Sequence, residues 1–396
     1  MNQSFNIGKK KVGAGQPCFI IAEISCNHEG EFEEAVRILH AAADAGADAV
    51  KLQTYTADTM TRNFKNEIKT GSIWDGGEVY KIYQQAHTPW NWHAKLAAIA
   101  QEKGMELFSS PFDETAVDHL EKNDVPAYKI ASFELVDTKL IEYVAKKKKP
   151  VLMSTGMANY SEIKEAYDIL VNNGVREMAI FHCNSGYPAP FAECNLKTMS
   201  ALHALFGVPI GLSDHTMYAN HKEFKEPMGH VACFEAVKLG AKILELHLTM
   251  DREHARQLME NKKGGYDWAF SKEPAELKKL VSTIRAYERG ESVEYETQAE
   301  KDFAALSHGV ITLEPTEREK TSIPFRPTLW VVEDVSKGKQ LQFAGGKKGN
   351  VDSIRPGGGL HIRYADIIHN ATATRDIKAG EPLTWDMLEL RHGAKK

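Results

Sequence analysis

Apolar and polar positions alternate in blocks along the first 270 residues. Eight short apolar runs each end in polar or charged side chains: CFIIAEIS (18–25), DAVKLQTY (48–55), MELFSSPF (105–112), AYKIAS (127–132), PVLMSTG (150–156), MAIFHCNS (178–185), PIGLSD (209–214) and KILELHLT (242–249). An amphipathic stretch follows each run, as in EEAVRILHAAADAGA and WNWHAKLAAIAQEKG, and Gly or Pro closes most of them. Eight such units in series predict an α/β fold, a (β/α)₈ TIM barrel over residues 1–285. All strand C-termini then share one face, and that face carries the chemistry. The connection at 56–88 is too long for a plain loop and contains Trp74, Tyr80 and Tyr83, so an ordered insertion over the barrel mouth is expected.

The pattern changes after residue 285. Residues 286–325, with ESVEYETQAEKDFAALSHG, are charged, helical or extended, and read as a linker. Residues 326–396 show short strands and turns, which predict a small β-rich domain. Within it EDVSKGKQL and RDIKAGEPL share an Asp-apolar start, a lysine, a glycine and a final leucine, a weak internal repeat. So small a domain has a thin core and is expected to pack against something larger.

Bulk properties exclude several functions. A net charge of −5 leaves no basic excess with which to bind nucleic acid. The one dense basic run, KKKK at 146–149, sits where a helix should end and reads as a solvated helix terminus. MNQSFNIGKK lacks the apolar core of a secretory signal, and no apolar stretch approaches a membrane span. The five cysteines form no CxxC pair and mostly lie in or near apolar runs. Buried thiols in a reducing cytoplasm are expected, without a cysteine zinc site.

The strand ends carry the candidate chemistry. Lys51 and Lys129 end the second and fourth runs. A lysine there either pairs at the rim or holds a phosphate or carboxylate; two of them beside Ser110, Ser132, Ser154, Asn184 and Ser213 favour an anion site. His215 and His247 follow or end the seventh and eighth runs, which are neighbours in a barrel. Two imidazoles on adjacent strand ends suit a divalent transition metal with open positions. Asp214 and Glu245 are placed by alternation behind them. Glu23 ends the first run, as a base or as a partner for a lysine. Glu134 and Asp267 are weaker candidates for contacting a polyol.

IAEISCNHEG, KLQTYT, FSSPFD, YKIASFE, STGM, HCNSGYP and GLSDHT resemble the sialic acid synthase family, over roughly residues 16–390. The tail SIRPGGGLH to TRDIKAGEPLTWDML is similar to that family's antifreeze-like (SAF) domain. GSIWDGGEVYKIYQQAHTPWNWH and VPAYKIASFELVD look most like the branch that makes pseudaminic acid. The resemblance implies condensation of phosphoenolpyruvate with an open-chain N-acetylated amino sugar, with C–O cleavage and a divalent metal, Mn²⁺ or Mg²⁺. It implies phosphoenolpyruvate on Lys51, Lys129, Ser132, Ser154, Asn184 and Ser213, and metal on His215 and His247. Glu23 would serve the attacking water or the sugar, with Glu134, Tyr187 and Asp267 near the sugar.

Three positions depart from the family pattern. Strand eight reads Glu245-Leu246-His247 where Glu-Lys-His is usual. The segment leading to Asp267 is not the usual Asp/Gly-rich one. The arginine that members supply from the SAF domain to a partner's active site is matched to Arg326, one residue early. That arm implies a domain-swapped homodimer. The leading expectation is an enzyme making pseudaminic acid; the alternatives are N-acetylneuraminate or legionaminic acid synthesis, another phosphoenolpyruvate aldol-type synthase, or a non-catalytic carbohydrate-binding barrel.

Overall fold

The computed structural model describes residues 3–64, 68, 74–216 and 229–390. The chain opens with an antiparallel hairpin, β1 (Ser4–Ile7) and β2 (Lys10–Gly13). Sequence reading gave this segment no structure. Its apolar residues are few, yet Phe5, Ile7 and Val12 are buried in the main core. Lys10 pairs with Asp48 and the Lys9 amide donates to Glu106, both at strand beginnings, so the hairpin plugs the barrel's N-terminal end.

Eight strands then close a parallel barrel: β3 (Phe19–Glu23), β4 (Ala49–Thr54), β5 (Glu106–Pro111), β6 (Tyr128–Ile130), β7 (Val151–Ser154), β8 (Met178–Cys183), β9 (Ile210–Asp214) and β10 (Ile243–His247). Each lies inside one of the eight predicted runs. The barrel closes where β10 pairs with β3, from Ile243 opposite Phe19 to His247 opposite Glu23.

Helices α1 (Phe32–Ala45), α2 (Ala57–Met60), α3 (Val79–Ala86), α4 (His93–Glu102), α5 (Glu114–Lys122), α6 (Thr138–Ala145), α7 (Tyr160–Asn172), α8 (Thr198–Phe206), α9 (Gly229–Lys238), α10 (Arg252–Glu260), α11 (Pro274–Glu288) and α12 (Gln298–His308) follow in chain order. All but α2, α3, α10 and α12 form the outer ring. α1 shows why the pattern folds as it does. Ala35, Ile38, Leu39, Ala42 and Ala45 make one buried stripe. Gly46 ends the helix at φ 87°, a left-handed conformation that glycine adopts without a Cβ clash. Asn159 with Glu162, and Thr297 with Glu300, form capping boxes at α7 and α12.

Residues 286–325 are tied to the barrel. Phe303 of α12 is fully buried in the barrel core. The Glu319 carboxylate accepts from the Met157 and Ser185 amides, in the loops after β7 and β8. Of the lysines at 146–149, Lys146, Lys147 and Lys149 pair with Glu142, Asp118, Glu121 and Asp124 after α6, and Lys148 donates to the Asn173 carbonyl. All five cysteines are buried free thiols. Among the described residues no helix is long and apolar enough to cross a membrane.

The small domain is built on β11 (Thr328–Val331), β12 (Val351–Ile354), β13 (Thr372–Ala373) and β14 (Leu388–Glu389). Its two repeats pair with each other. Val335 and Ile377 exchange both backbone hydrogen bonds, and Leu341 and Leu383 enter one core. This domain lies over the C-terminal end of its own barrel. Arg62 pairs with Asp352, Ser353 Oγ donates to Asp137, and Lys347 pairs with Glu114. Of the insertion at 56–88, residues 65–67 and 69–73 lie outside the described residues; α2, α3, Ile68 and Trp74 do lie at the mouth.

Asp137 is buried in this interface, where it also caps α6 by accepting from the Leu140 amide. Burial pushes its carboxyl up from 3.8 to about 6, with Asp352 adding to the effect. A carboxyl raised in the folded state costs stability above that pH, and the cost fades as pH falls from 6 toward 4. Asp137→Asn keeps the cap and is expected to stabilise the protein at pH 7.5 by on the order of 2 kcal/mol. Thermal unfolding should show that gain disappearing near pH 4; an equal gain at both pH values would exclude the titration.

Candidate active site

The strand C-termini open into a cavity of about 140 Å³. Its floor follows from strand alternation, which sends residues two apart to the same face. Lys51, Lys129, Ser132, Ser154, Ser213, His215 and His247 all line it, as the sequence predicts. Glu245 lines it too, two residues before His247 on the same face, not behind it as expected. Asp214 does face outward, and Leu246 is fully buried outside the barrel. The strand-eight departure therefore leaves the cavity's own charge pattern untouched.

Four charges of alternating sign meet on the floor. Lys51 Nζ contacts Glu23, and lies 3.7 Å from Glu245 and 3.2 Å from Ser110 Oγ. Lys129 Nζ lies 3.5 Å from Glu245 and donates to Ser154 Oγ at 2.6 Å. Ser213 Oγ donates to Glu245 at 3.2 Å. Burial alone lowers both lysines. At Lys51 the two glutamates outweigh it and raise the ammonium, whereas Lys129 stays lowered, with Lys51 adding repulsion. Burial raises Glu23 despite Lys51, while the two lysines overcome burial and lower Glu245. Glu23 itself stands behind Lys51, off the cavity wall, its other oxygen accepting from the Ser25 amide.

Beside Ser132 the chain has no room for a side chain. The Gly156 amide donates to Ser132 Oγ, and a Cβ there would sit 2.1 Å from Ser185 Oγ. The β7 loop can thus close against the Ser132 and Ser185 hydroxyls.

The histidines face each other with ring centroids 5.2 Å apart. His215 Nδ1 donates to the Asn184 carbonyl at 3.1 Å, and His247 Nδ1 faces Asp267 at 3.0 Å. With His215 Nδ1 engaged and His247 Nδ1 turned to Asp267, the two Nε2 atoms are the ones left to coordinate; among the described residues no cluster of three or more ligating side chains surrounds them. His247 lowers the Asp267 carboxyl against the raising effect of burial. Tyr187 packs on His215 with centroids 4.4 Å apart and the rings tilted by 44°, and Phe270 packs edge-on to both imidazoles.

Besides Glu23, three predicted residues are placed off the cavity. The Asn184 side chain turns away from the cavity, donating to the Glu193 carbonyl and accepting from the Gly186 amide. Its contribution is the carbonyl that holds His215. Glu134 lies behind the wall, ion-paired with Arg355. Arg326 does not reach the site: it pairs with Glu162 at 3.0 Å and donates to the Met157 carbonyl. The arginine that reaches the cavity from the C-terminal domain is Arg355, which also donates to Tyr83 and lies 4.9 Å from the Phe133 ring. Sequence reading missed it. The available signal was its setting, a single arginine opening the Pro-Gly-Gly-Gly loop of SIRPGGGLH. That loop approaches backbone closely; a Cβ on Gly359 would sit 1.9 Å from the Leu329 carbonyl oxygen. The expected arm was to come from a partner subunit. Here Arg355 closes the mouth within one chain.

The sequence profile of the NeuB family matches residues 38–294, and that of the SAF domain matches residues 326–389. A pseudaminic acid synthase of Campylobacter jejuni is 35% identical over 96% of this chain and 97% of its own. One of Helicobacter pylori is 34% identical over 94% and 98%. Among solved structures, the Bacillus subtilis spore coat polysaccharide biosynthesis protein SpsE superposes with a TM-score of 0.76, at 30% identity over 98% of this chain and 99% of that one.

The Arg355–Glu134 pair is nearly inaccessible to solvent, at 4% and 2% side-chain exposure. Arg355→Leu leaves a buried carboxylate without its arginine and should cost roughly 3–5 kcal/mol in denaturant unfolding. Adding Glu134→Leu should recover most of the loss. No recovery in the double variant would show that the arginine acts through other contacts.

Proposed function

The chain belongs to the NeuB family, and we propose that it is a synthase that condenses phosphoenolpyruvate with an open-chain 2,4-diacetamido-2,4,6-trideoxyhexose, giving pseudaminic acid and inorganic phosphate. The observation that carries this reading is a single cavity lined by Lys51, Lys129, His215 and His247. The anionic donor and the carbonyl of the acceptor can therefore meet in one place.

Lys51 and Lys129, with Ser132, Ser154 and Ser213, bind the carboxylate and phosphate of phosphoenolpyruvate and fix its orientation. Its C3 forms the new bond to the acceptor's C1. Water adds at C2, and the bond from C2 to the phosphate oxygen breaks, so phosphate leaves by C–O cleavage. The base for that water is assigned to Glu245, which lines the cavity between the two lysines, while Glu23 holds Lys51 from behind. His215 and His247 would hold a divalent cation, Mn²⁺ or Mg²⁺, which supplies Lewis-acid polarisation of the acceptor carbonyl. Asp267 and the Asn184 carbonyl keep both imidazoles oriented for that role.

The acceptor's character is supported by the outer wall, which is apolar: Met60, Ile68, Trp74, Val79, Ile82 and Phe325. A 6-deoxy sugar with two acetamido groups presents three methyls to such a wall. N-acetylmannosamine presents one methyl and more hydroxyls, which would be desolvated there at a cost. The pseudaminic acid synthases among the relatives point the same way.

Phosphate release from phosphoenolpyruvate with Mn²⁺ should occur with the altrose-configured diacetamido acceptor and not with N-acetylmannosamine or the mannose-configured isomer. Release with either of those instead would keep the mechanism and reassign the product to N-acetylneuraminate or legionaminic acid. His215→Ala and His247→Ala should each lower kcat at least ~100-fold, the lower end of the range for a group that polarises the reacting centre. Unchanged turnover in either variant would remove the metal assignment.

A further inference from the structure

A second buried charge pair lies outside the barrel wall, behind the two histidines. Lys272 is fully buried, and its Nζ donates to Asp214 Oδ2 at 2.6 Å. Asp214 precedes His215 in the chain, and its other oxygen accepts from the Thr216 amide and hydroxyl at 3.2 and 2.5 Å. The Asp214 carboxylate thus brackets His215 on both sides of the backbone. The Lys272 main chain is bound to the next strand: its amide donates to the His247 carbonyl at 2.8 Å, and its carbonyl accepts from the Thr249 amide at 2.9 Å. One residue therefore grips the segment carrying His247 by backbone and the segment carrying His215 by side chain. Between them on β10 stands Leu246, whose register partner on β9 is Asp214 itself.

We propose that Lys272 is a positioning residue that sets the relation of His215 to His247 by pairing with Asp214. A further part of the proposal is that its ammonium replaces one that position 246 could supply to the same carboxylate. A buried carboxylate on the outer face of β9 needs a cation, and either neighbour can provide it. In this chain position 246 is a leucine and the cation comes from the loop after β10. The two backbone hydrogen bonds at position 272 fix the point from which the lysine side chain reaches Asp214. The inference rests on the proposed function in taking the two imidazoles as the reactive pair.

The test uses the full chain, freed of metal and labelled with ¹⁵N-histidine. Two variants are compared with the unsubstituted protein, Lys272→Met and the double Leu246→Lys/Lys272→Leu. In Lys272→Met the imidazole resonances of His215 and His247 should shift while those of His28 and His93, buried elsewhere, stay in place. Mn²⁺ affinity by calorimetry should fall about tenfold or more, as for groups that orient ligands. The double variant should restore both. A lowered melting temperature with unmoved imidazoles and unchanged Mn²⁺ affinity would overturn the proposal and leave the pair a stabilising one only. If Lys272→Met does not fold, the double variant decides: imidazoles in place support the proposal, and displaced imidazoles or failure to fold overturn it. If the unsubstituted protein binds no Mn²⁺, the metal reading falls separately and the resonances alone decide.

Discussion

The mouth of this barrel is organised by four buried charges that cannot be separated. Glu23 and Lys51 are register partners on adjacent strands, and Glu245 reaches from β10 toward both Lys51 and Lys129. Any one of these groups alone in so dry a place would favour its neutral form. Together they stay charged in part, with each lysine separated from the other by a carboxylate. The barrel register therefore matters to the electrostatics as much as to the packing. A one-residue slip of β10 would turn Glu245 and His247 outward and bring Leu246 in.

The fold was legible because strand and helix periods differ and the chain keeps both cleanly. Eight apolar runs with polar ends could only be placed one way. What escaped was whatever the local pattern does not encode. The N-terminal hairpin has too few apolar residues to announce itself and is defined by what it covers. At the site, alternation identifies the face but was misapplied to Glu245, which shares His247's side of the strand. Asn184 has the right position, yet its side chain is taken by the Glu193 carbonyl and the Gly186 amide. Arg355 lies 226 residues beyond Lys129 (355 − 129), and no spacing rule links the two.

Two devices with different physics hold the small domain over the mouth. Phe64 stacks on Trp330, and Trp74 meets Phe325, the residue just before the domain, edge-on, which contributes apolar contact. Arg62–Asp352 and Asp137–Ser353 contribute polar contact with a pH dependence. The domain's internal pairing of two like segments gives it a core of its own, so it can dock as a unit.

The layering of the cavity has a temporal consequence. Lys51, Lys129 and Glu245 lie at the bottom, on the strand ends, and the wall above comes from the insertion, Phe325 and Arg355, apolar but for that arginine. A ligand of the floor has to pass through the space that a ligand of the wall fills. On the proposed reaction phosphoenolpyruvate must enter before the sugar, and phosphate, freed below, must wait for the nine-carbon product to depart. On that reaction the layering sets an order of arrivals and departures, with the sugar last in and its product first out.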